Sequence, residues 1–149
     1  MAAPAHIQKE TLDKFLAAWQ TGNAQDTISL WSDDFTQRLL PLSLQQPVQQ
    51  RAHTEIFYPK LVGNLTNWKL DIKRIVHDTA NNIAAVYATS TADTPIPGEK
   101  WTNEYAVFVA LTEDGTRVKS VEEMVDSAFF QRFFPKFQKY LMEQGPESQ

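Results

Sequence analysis

Apolar residues near the start of the chain recur at the spacing of an α-helix. Four of them lie three or four positions apart: Leu12, Phe15, Leu16 and Trp19. This stripe predicts an amphipathic helix over residues 11–21. Thr11 is a suitable N-cap, and Gly22 stands where helices often end in a left-handed residue.

Shorter elements are expected in the next part of the chain. The pattern predicts a short helix over residues 24–31, a break at 32–34, an extended segment over 35–40, a Gln-rich loop over 43–50 and a helix over 51–57. The extended segment should end before Pro41, and Pro59 should perturb the helix that precedes it.

From Asn67 onward the apolar period changes to two, which is typical of β-strands. One hairpin is predicted from strands over residues 68–73 and 83–91. A second joins a strand that starts at Trp101 to a strand over 117–125, through a turn at 112–115 that contains Asp-Gly. Helical spacing returns over residues 127–143, where Pro135 predicts a kink or a break.

This order of elements predicts an α+β fold, with helices segregated to one face of a sheet. We expect a strongly curved antiparallel sheet whose concave side is closed by helices, which makes a cone with a pocket. The chain shows no repeat or linker, so a single domain over residues 1–149 is expected, with a disordered tail at about 145–149.

Composition narrows the classes of protein. The 149 residues include 42% hydrophobic residues, which is enough for a core, and carry a formal net charge of −4. Scattered basic residues do not form the patch of a nucleic-acid binder, and no apolar run is long enough to span a membrane. The N-terminus lacks the pattern of a signal peptide and the chain has no cysteine, so a cytoplasmic protein without disulfides is expected.

Four short motifs carry a resemblance to a known family. They are LDKFLAAW at 12–19, LWSDDF at 30–35, NEY at 103–105 and EMVDS at 123–127. The chain resembles the SnoaL-like enzymes of the nuclear-transport-factor-two-like superfamily. Within that group it is most similar to fungal isomerases and cyclases of secondary metabolism, such as meroterpenoid isomerases and the brevianamide semipinacolase. The resemblance implies a cone-shaped fold, a homodimer formed through the outer sheet face, and an acid/base pocket without a cofactor.

Glu123 is the first candidate for catalysis. In the predicted strand over 117–125 it shares a face with Val121 and Val125, whereas Glu122 belongs to the opposite face. Burial among apolar neighbours would raise the pKa of this carboxyl group, as a general acid or base requires. An exposed Glu on the outer face is the alternative, and a slip of one residue would exchange Glu123 for Glu122. The resemblance implies a catalytic carboxylate at this position.

Arg38 is the second candidate, because it lies among apolar residues in a short extended segment. Its guanidinium could hold a carbonyl or stabilise a developing oxyanion. The related fungal enzymes also use an early Arg. A surface or structural ion pair is the alternative.

Aromatic and polar residues on the strand from Trp101 could form a binding wall. Trp101, Asn103 and Tyr105 share one face, so Tyr105 could donate a proton while Trp101 stacks on a planar substrate. Tyr87, on the neighbouring strand, could extend this wall. Core packing alone is the alternative for these aromatic residues.

His53 and Tyr58 lie around the third helix, where His53 could shuttle protons or simply face solvent. No pair among the three histidines has the spacing of metal ligands, so no metal site is expected. Asp126 and Ser127 are expected to cap the last helix.

Taken with the resemblance, these residues favour a cofactor-independent isomerase or cyclase. It would rearrange a small, apolar, polycyclic natural product, for example by a semipinacol-type migration. Glu123 would be the base or acid, Arg38 would stabilise an oxyanion, and Tyr105 would assist proton transfer. A dehydratase of the same fold, a non-catalytic carrier and a protein-interaction adaptor are the alternatives.

Overall fold

The computed structural model describes residues 2–145 of the chain. Within them the helices are α1 (Ala5–Thr21), α2 (Ala24–Ile28), α3 (Arg51–Gly63) and α4 (Ser127–Gln144), with a short 3₁₀ turn at Leu42–Leu44. The strands are β1 (Trp31–Leu40), β2 (Gln49–Gln50), β3 (Thr66–Asp78), β4 (Ile83–Asp93), β5 (Lys100–Leu111) and β6 (Val118–Met124). None of the helices in this part of the chain is both long and apolar enough to cross a membrane.

The strands of the described region form one curved sheet in the order β2-β1-β6-β5-β4-β3. The two long hairpins, β3-β4 and β5-β6, are antiparallel as expected. At the β5-β6 turn, the Gly115 N–H donates to the Thr112 carbonyl at 2.8 Å, and Gly115 adopts a φ of 74° that favours glycine. The α+β class is confirmed.

The sheet is mixed, which corrects the expectation of a wholly antiparallel one. β1 runs parallel to β6, with Gln37 beside Val121 and Leu39 beside Glu123. A parallel pair cannot be joined by a tight turn, and here the chain between β1 and β6 contains α3 and four further strands. This pairing has no local signal in the sequence.

Several element bounds differ from the prediction. α1 begins at Ala5, and Thr11 lies inside it with its hydroxyl donating to the Gly115 carbonyl at 2.6 Å instead of capping the helix. β1 begins at Trp31 and includes the predicted break at 32–34, because Trp31 and Phe35 are both buried in the core. The end of α1 at Gly22, with a φ of 68°, is as predicted.

Both prolines that were expected to disturb helices lie within them. α3 runs through Pro59 to Gly63, and α4 runs through Pro135 to Gln144. Side chains on both sides of each proline pack against the apolar core, which offsets the hydrogen bond that each proline removes. The tail predicted to be disordered lies, apart from Gly145, outside the described residues.

Helices α1 and α4 cover the same face of the sheet. One core cluster joins α1 to inward residues such as Val86, Val107 and Val121. The other joins the phenylalanines of α4 to Trp101 and Val125. The two clusters leave a space between them, which α3 helps to enclose. The described elements pack on one sheet, while the prediction of a single domain over residues 1–149 stays a prediction.

Candidate active site

A cavity of about 560 Å³ lies on the inward face of the sheet. Three tryptophans and three phenylalanines line it: Trp19, Trp68, Trp101, Phe57, Phe130 and Phe134. Its polar lining consists mainly of neutral groups, with Glu123 as an exception and with no Lys or Arg among the described lining residues. The cavity therefore suits a largely apolar molecule with a few polar groups.

Glu123 is the carboxyl group of this cavity. It projects inward from β6, while the neighbouring Glu122 is exposed and belongs to the opposite face. Burial raises the pKa of Glu123 to about 7, and a hydrogen bond from Gln37 acts in the opposite direction. That bond runs from Gln37 Nε2 to Glu123 Oε1 and is long, at 3.4 Å. Near neutral pH, this carboxyl group can both accept and donate a proton.

Tyr105 lines the cavity from β5, and its hydroxyl group belongs to a chain of hydrogen bonds. The Trp101 Nε1–H donates to Ser90 Oγ at 2.8 Å, and Ser90 Oγ shares a short hydrogen bond with the Tyr105 hydroxyl. Burial raises the pKa of Tyr105 well above its ordinary value, and the nearby Glu123 carboxylate adds to this rise. Tyr105 therefore stays protonated at neutral pH and is suited to donate a hydrogen bond.

Trp101 has a second role as the centre of an aromatic cluster. Its ring meets those of Phe129, Phe130 and Phe133 edge-on, with centroids 5.3, 5.8 and 5.5 Å apart. These contacts hold the indole rigidly between β5 and α4. Trp101 is packed in the core and also lines the cavity wall. The sequence had left these two roles as alternatives.

Asn103 connects the cavity wall to the start of α4. Its side chain is buried, lines the cavity and accepts a hydrogen bond from the Asp126 N–H at 3.1 Å. The Asp126 side chain in turn caps α4 by accepting from the Phe129 N–H at 3.2 Å, as predicted. The position of α4 over the cavity is thus tied to a cavity residue.

Tyr58 and His53 reach the cavity from α3. Burial raises the pKa of Tyr58 to about 12, Glu123 adds to the rise, and a hydrogen bond with Thr27 opposes it. His53 lines the cavity but is exposed, and its ring lies over that of Phe57 with centroids 6.1 Å apart. Tyr58 therefore belongs to the interior, whereas His53 lies at the surface.

The structure does not bring Arg38 or Tyr87 to the cavity. Gln37 and Leu39 of β1 both line it, so Arg38, which lies between them, belongs to the opposite face of the strand. Tyr87 is 41% exposed on the outer face of β4, where its hydroxyl donates to Glu104 at 2.6 Å. The placement expected for these two residues was wrong, because the alternation of each strand turns them outward.

Sequence reasoning missed Gln37 and Ser90, the two residues that contact the candidate acid and its neighbouring donor. Gln37 had a usable signal, because it shares a strand face with Phe35 and Leu39. Ser90 had one as well, since it alternates with Ala88 and Ala92 on the buried face of β4.

The arrangement offers a proton acceptor and a hydrogen-bond donor on one wall of an apolar cavity. Glu123 can remove a proton from a bound molecule, and Tyr105 can polarise a carbonyl or stabilise an alkoxide. Among residues 2–145, no three His, Asp or Glu side chains form a group that could hold a metal ion.

Comparison with known proteins identifies close relatives in fungi. The chain is 64% identical over 146 residues to a protein named monooxygenase nsrS from Aspergillus novofumigatus, and the match covers 97% of each chain. It is 48% identical over 145 residues to one named monooxygenase dmxR10 from a Cryptosporiopsis species, again with 97% of each chain covered.

Among solved structures, the fold is similar to the BvnE pinacolase from Penicillium brevicompactum. The TM-score is 0.80 at 18% identity, and the match covers 91% of this chain and 93% of the pinacolase. PrhC from Penicillium brasilianum matches with a TM-score of 0.76 at 19% identity over 91% of each chain. At these identities the likeness concerns the fold alone.

The family described as the SnoaL-like domain matches residues 12–121. This agrees with the resemblance carried by the four sequence motifs. The chain belongs to the SnoaL-like family.

Proposed function

We propose that this protein is a tailoring enzyme of fungal secondary metabolism, specifically an isomerase or cyclase that rearranges a polycyclic natural product by acid/base catalysis. The observation that carries the proposal is Glu123, a carboxyl group with a pKa raised to about 7 on the wall of an aromatic cavity of about 560 Å³. The name pinacolase of a structural neighbour supports the same class of reaction.

The residues act in a definite order in this proposal. Ionised Glu123 removes a proton from a hydroxyl group or an acidic C–H of the substrate. In a semipinacol-type step, the new carbonyl forms as a carbon substituent migrates, with its electron pair, to the adjacent electrophilic carbon. Tyr105 donates a hydrogen bond to the oxygen that gains negative charge. Protonated Glu123 then returns its proton to the atom that has received the displaced electron pair, so the overall change is an isomerisation.

The shape of the cavity selects the substrate. Its tryptophan and phenylalanine side chains offer flat apolar surfaces on which fused rings can stack. The absence of Lys and Arg from the described lining gives no partner for a phosphate group. A neutral or weakly acidic ring system is therefore the substrate class that fits.

A second candidate function is the oxygenation of the same class of substrate, and the names of the relatives favour it. Proteins 64% and 48% identical to this chain are named monooxygenases. Removal of a proton from an electron-rich ring by Glu123 would leave a carbanion that dioxygen can oxidise. If a ring CH₂ becomes a carbonyl, one oxygen atom enters the product, and the other leaves as water with the two substrate hydrogens.

Turnover of a panel of polycyclic phenols, hydroxyketones and hydroxyindolenines tests these alternatives. Reactions under ¹⁸O₂ are followed by mass spectrometry for wild type, Glu123→Gln and Tyr105→Phe. An isomerase gives a product of unchanged mass, a dehydratase gives loss of water, and an oxygenase gives a product that carries ¹⁸O. We expect unchanged mass, and a loss of turnover of about 100-fold or more in Glu123→Gln.

The exposed neighbour of Glu123 provides the control, because Glu122→Gln makes the same chemical change on the outer face. It should turn over like wild type. Binding without turnover by wild type would indicate a carrier, and full activity of a folded Glu123→Gln variant would reject the proposed base.

A further inference from the structure

A second, smaller cavity lies behind Glu123. Its volume is about 40 Å³, and we call it the back chamber. Glu123, Gln37 and Tyr58 line both cavities, so these side chains form part of the boundary between them. The back chamber is therefore a second space that the candidate base lines.

One residue of the back chamber carries a hydrogen-bond donor without a partner. Trp31 lines it and is 3% exposed, and its Nε1–H meets no acceptor among the described residues. The indole is stacked on Phe35 with centroids 4.1 Å apart and ring planes nearly parallel, so it is held in place. Leaving a buried N–H unpaired is unfavourable, and such groups in folded proteins usually find a partner.

Residues with possible acceptor groups line the same space. Four of them have a side-chain oxygen that can accept a hydrogen bond: Glu123, Tyr58, Gln37 and Thr27. A buried water needs about 10–15 Å³ of accessible space and two to four polar partners, and the back chamber meets both conditions. A larger ligand would not fit in this volume.

We propose that the back chamber binds a water molecule, which accepts a hydrogen bond from Trp31 Nε1–H and donates hydrogen bonds to the Glu123 carboxylate and the Tyr58 oxygen. Trp31 is then a positioning residue that acts on Glu123 through this water. The proposal deepens the proposed function and rests on Glu123 as its base.

The water should favour the ionised form of Glu123, because it donates a hydrogen bond to the carboxylate. The other titratable side chains that line the two cavities with Glu123 are Tyr58 and His53 from α3 and Tyr105 from β5. The tyrosines are neutral and the His53 side chain lies at the surface, so none of these side chains replaces the water as a fixed donor to the carboxylate.

A high-resolution crystal structure of the wild-type protein, with and without xenon pressure, tests the binding site. We expect one ordered water within hydrogen-bond distance of Trp31 Nε1 and Glu123, and no xenon. An empty chamber, or one that takes up xenon, would overturn the proposal, since apolar cavities stay dry and bind such atoms.

A titration of Glu123 tests the effect on the base and does not depend on turnover. The carboxyl resonance is followed by ¹³C NMR in the ligand-free protein for wild type, Trp31→Phe and Phe15→Leu. Trp31→Phe removes the donor and keeps an aromatic ring, so the midpoint of Glu123 should rise by about one pH unit as the water is lost. Phe15→Leu alters an apolar wall of the same chamber and should leave the midpoint unchanged.

Thermal melting confirms that each variant is folded. An unchanged midpoint in folded Trp31→Phe would show that the water does not act on Glu123. The crystal structure and the titration are both made without substrate, so they remain valid tests of the water site even if the protein fails every turnover assay. Failure of the proposed function is thereby distinguished from failure of the water site.

Discussion

Glu123 couples the stability of the fold to pH. Its pKa is raised from 4.5 to about 7 in the folded protein because burial disfavours the charged carboxylate. The contribution of Glu123 to the free energy of unfolding is therefore fully present below about pH 4.5 and is lost as pH rises through about 7. The loss amounts to about 3 kcal/mol at most by pH 8, since one pKa unit corresponds to about 1.4 kcal/mol.

The first prediction concerns Glu123→Gln. The neutral amide avoids burying a charge, so the variant should be more stable than wild type by about 1–3 kcal/mol at about pH 8. At about pH 5 the difference should be small, because wild-type Glu123 is then mostly neutral. Urea unfolding of both proteins at the two pH values measures this difference.

The control is Glu122→Gln, since Glu122 is exposed on the other face of β6. It should follow the pH dependence of wild type. A constant stability difference between Glu123→Gln and wild type from pH 5 to 8 would contradict the raised pKa of Glu123.

Strand alternation explains which site residues could be predicted. Around β6, a period of two placed Glu123 on one face with Val121 and Val125 and placed Glu122 on the other, and the structure shows that the face of Glu123 is the inward one. In β1 the same reasoning would have selected Gln37. A preference for a charged group selected Arg38 instead, and Arg38 lies on the opposite face. Hydrogen bonds such as that between Ser90 and Tyr105 depend on register between strands, which alternation alone does not give.

At the scale of elements, the start of α4 is hydrogen-bonded to a residue of the cavity wall. Asp126 caps this helix through the Phe129 N–H, and its own N–H donates to the Asn103 side chain inside the cavity. A capping side chain satisfies one of the free N–H groups of the first turn, and its negative charge lies at the positive end of the helix dipole.

The second prediction is that Asp126→Ala destabilises the protein by about 1 kcal/mol, within the usual range for the loss of a cap. Asp126→Asn keeps an acceptor and should lose less than half as much. Urea unfolding at neutral pH measures both. Equal losses in the two variants would show that the charge of Asp126 matters and that its hydrogen bond to α4 does not.

The elements were predicted best where the chain repeats a strong local pattern. The hairpin β5-β6 and the helix α4 follow from a turn with Asp-Gly and from a phenylalanine stripe. The parallel pairing of β1 with β6 joins residues more than 80 positions apart, such as Gln37 and Val121. Nothing local encodes this pairing, because it depends on how the whole sheet curves around the core.

At the scale of the whole molecule, the outer sheet face carries apolar side chains that the fold leaves uncovered. Phe108, Met124 and Tyr87 are 39%, 41% and 41% exposed. They lie on adjacent strands, where Ala106 pairs with both Met124 and Tyr87, and Phe108 pairs with Glu122. Arg38 lies beside Glu122 in the register of β1 and β6, and its Nε is buried without a hydrogen-bond partner among the described residues.

We propose that this face forms the homodimer that the family resemblance implies. A two-fold axis would bring the same apolar patch of each copy together, as in most symmetric dimers. Burial of Phe108 and Met124 would stabilise the contact, and a partner acceptor would satisfy Arg38 Nε.

The third prediction is that Phe108→Lys converts the dimer to a monomer, with a Kd raised by about 100-fold or more because a charge would be buried at the centre of the interface. Analytical ultracentrifugation over a range of concentrations measures the change. The control is Ile56→Lys, which replaces a 62% exposed apolar residue on α3, away from the sheet, and should leave the dimer intact. A wild-type protein that stays monomeric at every concentration, or a Phe108→Lys variant that still dimerises, would reject this interface. The cavity opens on the other face of the sheet, so monomeric Phe108→Lys should keep the turnover of wild type if each copy holds a complete site.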